Sequence, residues 1–259
     1  MKISERSLGL ILALLLVSGC GRGSGKKIAS SGKDRSFTAD TGFTGVKRYT
    51  SLGHLSVEST FKNGVKEGIT NMYYVSGNLS HTSWYSNGLK EDTGKWYYEE
   101  GQLFRATPYR RDTIDGIQVQ YFRSGMVKAK IGFKRGLRTF FIQEYDLNGE
   151  LLTTYPQLII SVKDDYATKG VCSISLGLSD NSAEVKYYSG DFGGGVFDTV
   201  RSVRIKTING TGTFILEKTG IPQADSVDIL ASILTLYGNN YLVHKKIGLP
   251  YKDLKQIRN

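Results

Sequence analysis

Cysteine and histidine are scarce in this 259-residue chain, with two of the first and three of the second. Few side chains are therefore on hand for a metal centre, and neither a metal nor any other cofactor is expected. His54, His81 and His244 have no ligand spacing, and no HExxH or CxxC motif occurs. A GxSxG nucleophile turn and a phosphate-cradling GxxxxGK[ST] loop are also missing. With no catalytic residue to name, the chain is expected not to be an enzyme. Proline is rare (4) beside 31 glycines, which excludes a collagen-like chain. Long apolar runs are missing too: Leu8 to Val17 is about half the roughly 20 residues a permanent helical span needs, which excludes a multi-pass helical membrane protein. With 39% hydrophobic and 22% charged residues, wholesale disorder is excluded as well. What is abundant is Tyr (16), Phe (11) and Gly, a balance that favours turn-rich β-structure over helices built from Ala and Leu.

The first residues read as a processing segment. Lys2 and Arg6 form a positive start, the apolar run follows, and Leu16-Val17-Ser18-Gly19-Cys20 closes it with small residues before a cysteine. This ending resembles the bacterial lipobox, which implies cleavage before Cys20 and acylation there, with chains such as palmitate. The competing reading is an ordinary signal peptide in which Cys20 is incidental. Two or three acyl chains hold a protein firmly on a bilayer, whereas one binds marginally. Gly21 stands where an Asp would imply inner-membrane retention, so the resemblance implies an outer-membrane lipoprotein whose face, periplasmic or surface, stays open. The expected organisation is a signal peptide over 1–19, a basic tether over 20–45, repeats over 46–155 and a second β-domain over 156–259.

The formal charge of +10 is unevenly placed. Residues 20–48 hold Arg22, Lys26, Lys27, Lys33, Arg35, Lys47 and Arg48 against Asp34 and Asp40, whereas each later region is nearly balanced. A Gly/Ser-rich basic tether beside a lipid anchor suits acidic lipid head groups, at about 1 kcal/mol per cation. Nucleic acid is therefore not the expected partner; the membrane is, through the anchor.

The middle of the chain repeats. Tyr49, Tyr73, Tyr97, Tyr121 and Tyr145 recur every 24 residues, each followed four residues later by Gly53, Gly77, Gly101, Gly125 or Gly149. Two residues on stand Leu55, Leu79, Leu103, Val127 and Leu151, and eight after the first four glycines stand Phe61, Tyr85, Tyr109 and Phe133. Gly64, Gly88 and Gly136 form a further column, broken by Asp112. The Tyr-x-x-x-Gly step predicts a strand ending in a turn where glycine accepts positive φ. Asn63-Gly64 and Asn87-Gly88 predict a second hairpin turn. Each unit is thus a hairpin that needs its neighbours to cover its apolar face. The pattern resembles the bacterial variant of the MORN repeat, a family found in secreted and lipid-anchored proteins, some of which are described as antitoxins of toxin–antitoxin systems. The resemblance covers roughly 45–155 and implies binding or scaffolding. An antitoxin-like role is its second implication, at odds with an export signal.

From Pro156 the period stops. Alternating runs at Leu158–Val162, Val171–Leu178, Ala183–Tyr188, Val200–Ile208 and Thr213–Glu217 read as strands. Val227–Tyr237 and Tyr241–Ile247 follow, split by Gly238-Asn239-Asn240; the first of these also fits an amphipathic helix over Ser226–Leu236. Seven short strands predict a β-sandwich of immunoglobulin-like type, making the whole chain all-β. Cys172 lies in an apolar strand and reads as a buried, inert thiol; Gly193-Gly194-Gly195 reads as a loop, and Asp164-Asp165 as a solvated pair at a strand end.

Within the repeats, Tyr73, Gly77, Leu79, Tyr85, Tyr97, Gly101, Leu103, Tyr109, Tyr121, Gly125 and Phe133 are the expected framework. Their aromatic neighbours Tyr74, Trp84, Trp96, Tyr98 and Phe122 are expected on the opposite face, because side chains alternate along a strand. That stripe is the candidate contact surface. The function expected from it is that of a non-enzymatic binding or assembly module, an accessory subunit of an outer-membrane protein complex; the alternative is a glycan-binding lipoprotein.

Overall fold

The computed structural model describes residues 42–257, so the leader, Cys20 and most of the tether lie outside the described residues. The chain is all-β. It begins with β1 (Gly45–Ser51), β2 (His54–Lys62), β3 (Val65–Tyr73), β4 (Leu79–Ser86), β5 (Leu89–Tyr97), β6 (Leu103–Arg110), β7 (Thr113–Ile114), β8 (Gly116–Tyr121), β9 (Val127–Lys134) and β10 (Leu137–Glu144). These form one antiparallel meander in chain order, with β7 and β8 both paired to β6.

Two turn types alternate along this array. Asn63-Gly64, Asn87-Gly88, Arg111-Asp112 and Arg135-Gly136 each place two successive residues at positive φ, the signature of a two-residue type I′ hairpin. Asp112 holds its φ of 65° because its carboxylate accepts the Lys90 N–H at 2.8 Å. The opposite turns are wider. Gly77, Gly101, Gly125 and Gly149 lie at φ between 85° and 98°, and each N–H donates to the carbonyl three residues earlier. A register shift beside Tyr73, Tyr97 and Tyr121 bulges the sheet at every repeat.

The second half contains β11 (Leu158–Asp165), α1 (Tyr166–Lys169), β12 (Val171–Leu178), β13 (Val185–Ser189), β14 (Val196–Phe197), β15 (Val203–Ile205), β16 (Thr207–Ile208), β17 (Thr211–Lys218), β18 (Ser226–Leu234), β19 (Asn240–Gly248) and β20 (Leu254–Gln256). One sheet runs β11-β12-β17-β16, with β20 also on β17; the other runs β15-β13-β18-β19. Leu158, Cys172, Ile174, Leu176, Phe214 and Leu216 from the first meet Val185, Tyr187, Ile205, Ile229, Ala231 and Ile233 from the second in one buried cluster. Tyr187 crosses this core and donates its hydroxyl to the Gly210 carbonyl at 3.0 Å. A Cβ on Gly212 would stand 2.6 Å from the Tyr187 ring, so glycine is the residue that fits there.

Two details differ from the sequence expectation, and a third decides between its alternatives. Val200–Ile208 is divided into β15 and β16, which sit in different sheets. β14 leaves the sandwich and pairs with β10, extending the array sheet to eleven strands. β18 is a strand in full, and it is buried on both faces, because Ile229, Ala231 and Ile233 point into the core while Leu230 packs with Phe192, Leu242 and Phe140 of β10. Burial on both sides explains its continuous apolar run, which lacks the alternation of a half-buried strand.

Candidate functional site

Strand pairing sorts the array's side chains into two faces. On one, which we term inner, a row of paired residues runs across the sheet: Val57, Met72, His81, Trp96, Arg105, Gln120, Ala129 and Glu144. Beside it lies a second row of small and polar side chains. Thr70 donates to Ser59 at 3.1 Å, Ser83 meets His81 Nε2 at 2.9 Å, and Gln118 donates to Thr107 at 3.0 Å. These groups are buried, and each finds a partner within the sheet, as buried polar atoms require.

The framework aromatics do not build a sealed apolar core. Among them only Tyr85 is buried, and the apolar clusters among the described residues lie in the sandwich and at its junction with the array. The physical reason is the single layer: among the described residues no second sheet covers most of the array. Cations cover the rings instead. Lys66 stands 4.8 Å over Tyr85, Lys90 5.2 Å over Tyr109, Arg138 5.3 Å over Phe133 and Arg105 4.3 Å over Trp96.

The five expected contact residues are divided by the structure. Trp96 is on the inner face, paired with His81 and stacked on it with ring centroids 4.3 Å apart. Bulges between β4 and β5 and around Tyr97 shift the simple alternation on which the expectation rested. Tyr74 and Tyr98 open the wide turns, and their hydroxyls donate to the carbonyls of Tyr97 and Tyr121 one repeat on, at 2.6 and 3.0 Å. They are clasps between repeats. Phe122, at the same position of the next unit, has no hydroxyl and packs edge-on against Tyr237 of the β18–β19 hairpin. Trp84 alone of the five lies open on the outer face.

There it has other company, which the sequence reading missed. Ile69 pairs with Trp84, Thr93 with Pro108, and Ile117 with Gly132, whose Cβ position abuts Phe141. Ile69, Trp84, Ile117 and Phe141 remain 45, 49, 44 and 42% exposed, a row of apolar side chains that no described residue covers. The available signal was the spacing of Ile69, Ile117 and Phe141, which fall at multiples of the 24-residue period.

At its far end the inner face is occupied by the chain itself. Glu144 is buried and accepts hydrogen bonds from Thr235 Oγ1 (2.8 Å), Asn239 Nδ2 (2.7 Å) and the Tyr155 hydroxyl (3.2 Å). Burial and the Glu144 charge push the Tyr155 phenol well up. Gln120 donates to Asn239 Oδ1 at 3.0 Å, and Arg138 to the Asn240 carbonyl at 2.9 Å. Burial lowers the Arg138 guanidinium to about 10, against the pull of Glu144, so it remains charged at neutral pH. Further along, burial and then the charges of Lys90 and Arg105 press the His81 imidazole down to about 4.

The other groups singled out in the sequence, Asp164, Asp165, Cys172 and the Gly193 loop, are tied into structure. Asp164 accepts from the Tyr251 hydroxyl and the Tyr166 N–H, both at 2.9 Å, while Asp165 pairs with Lys163 and Lys169. Cys172 is fully buried, and burial ahead of the Asp164 charge raises its thiol pKa. Gly193 belongs to a loop in which its N–H donates to the Asp191 carboxylate at 2.9 Å. Among the described residues no group of three or more His, Cys, Asp or Glu is placed to hold a metal ion. The comparisons with known proteins found no family model that matches the sequence and no curated protein similar to it.

Proposed function

We propose that this chain is a lipid-anchored, non-enzymatic binding and assembly module, an accessory subunit of an outer-membrane protein complex. The observation that carries the reading is the apolar outer row, Ile69, Trp84, Ile117 and Phe141, held at about half exposure on a sheet braced by the sandwich. Exposed aromatic and aliphatic side chains on one face of a sheet mark a surface that gains free energy when a partner covers it. One hairpin per 24-residue period supports the MORN-like reading of the array. The pairing orders β11-β12-β17-β16 and β15-β13-β18-β19 support the immunoglobulin-like reading of the sandwich.

The test is a tagged full chain, solubilised in mild detergent and captured with its partners. A membrane protein should co-purify, and Trp84→Ala or Phe141→Ser should reduce its recovery without lowering the melting temperature. A lone monomer would refute the assembly role. Mass spectrometry of the mature N-terminus decides the anchor separately, since acylated Cys20 is its requirement and an unmodified chain starting elsewhere ends it. The glycan alternative retains one open indole, Trp84, because Trp96 is flanked by His81 and Arg105.

A further inference from the structure

We propose that the stretch of the inner face beyond the docked hairpin, Met72–His81–Trp96–Arg105, docks a carboxylate-bearing turn or strand of a partner protein. Two observations lead there. The first is continuity. The same row of paired residues, followed from Arg105 through Gln120 and Ala129 to Glu144, already receives a protein turn, the chain's own 235–240 hairpin. That turn is recognised by complementarity of hydrogen-bonding groups: Glu144 accepts, and Thr235 and Asn239 donate.

The second is the reversal of polarity along the row. Where the occupied end presents a carboxylate, the open end presents Arg105, whose Nε is buried without a hydrogen-bond partner while its guanidinium lies over Trp96. Among the described residues no carboxylate pairs with Arg105, Lys66 or Lys90. A guanidinium held 4.3 Å over an indole keeps N–H groups that can donate two parallel bonds, and carboxylate is the protein group that accepts them. Met72, exposed at the same end, and the ring stack supply apolar contact beside the charge. Lys90 and Arg105, after burial, also press the His81 imidazole down, in keeping with an excess of positive charge at this end.

The surface is distinct from the outer apolar row, so the two readings fail separately. The experiment titrates the purified Trp84→Phe chain, in which Trp96 is the remaining tryptophan, with short cyclic hairpin peptides carrying Asp, Asn or Lys at the turn. The Asp peptide should change Trp96 emission and bind about tenfold or more tighter than its Asn counterpart. Arg105→Gln should erase that preference. Arg105→Lys, which keeps the charge and loses the flat fork, should weaken the Asp peptide several-fold, and it carries the test should Arg105→Gln fail to fold. Equal binding of the Asp and Asn peptides, no binding of either up to about 1 mM, or Asp binding unchanged by Arg105→Lys overturns the proposal. Competition by polyphosphate or phosphatidylglycerol vesicles as strong as by the Asp peptide overturns it too, by showing diffuse attraction to anions.

Discussion

The array and the sandwich are both antiparallel β, yet they are held together by different forces. In the sandwich two sheets face each other, and alternating residues of β12 such as Cys172, Ile174 and Leu176 disappear into a common apolar core. In the array one sheet stands with most of its surface unmatched by a second layer. Its inner face is lined by hydroxyls, an imidazole and ring–cation pairs, and its repeats are fastened by turns and by hydroxyl-to-carbonyl clasps. The difference teaches that contacts between neighbouring hairpins can stand in for much of a core: hydroxyl and amide groups on adjacent strands satisfy one another, so cohesion accumulates along the chain. It also leaves the outer face and part of the inner face uncovered by other described residues, whereas the sandwich buries the facing sides of its two sheets.

The largest expected effect lies in the sandwich. Tyr187→Ala removes a fully buried ring and should cost about 3–5 kcal/mol, read as a large fall in melting temperature. A comparable loss on truncating the half-buried Tyr109 of the array would break the contrast drawn above.

Acid should then loosen the array selectively through His81. In the folded chain this imidazole is lowered to about 4, against 6.5 when unfolded, so well above pH 6.5 both states are neutral and its contribution to stability is constant. Between 6.5 and 4 the unfolded chain takes up a proton that the folded chain refuses, and stability falls as the pH drops, by roughly 3 kcal/mol in total. His81→Gln should flatten this slope in pH-dependent denaturation, while hydrogen exchange in β12 and β18 should change less than in β4 and β5.

Removing one clasp is a smaller perturbation. Tyr98→Phe loses the bond to the Tyr121 carbonyl and should cost about 1 kcal/mol by chemical denaturation. Phe122 shows that the position accepts a ring without a hydroxyl where another partner, Tyr237, is present. Smallest of all is Trp84→Ala, which should shift stability by less than about 0.5 kcal/mol because the indole is half exposed. Unfolding of the array by that substitution would show that its outer face is structural.

Some of this architecture was legible in the residues alone. The 24-residue period ran through the hairpins between residues 49 and 151, and the Asn-Gly pairs and the wide-turn glycines marked turns where the backbone does go to positive φ. Local chemistry suffices there, because turn conformation depends on the few residues that adopt it. The alternation of β12 was equally plain, since a strand with one buried face writes its burial as period two.

The assignment of faces within the array was decided by the tertiary structure. Bulges beside Tyr73, Tyr97 and Tyr121 and between β4 and β5 change which neighbours share a side, and a register shift leaves no mark in composition or period. Trp96 therefore joins His81 and Arg105, and Trp84 joins Ile69, although the sequence places both indoles beside framework tyrosines. The docking of the 235–240 hairpin on Gln120 and Glu144 is likewise invisible in sequence, because its partners lie about a hundred residues apart. What the chain encodes locally is its turns and its period; which groups meet across the sheet, and which are left open for a partner, is set by pairing over distance.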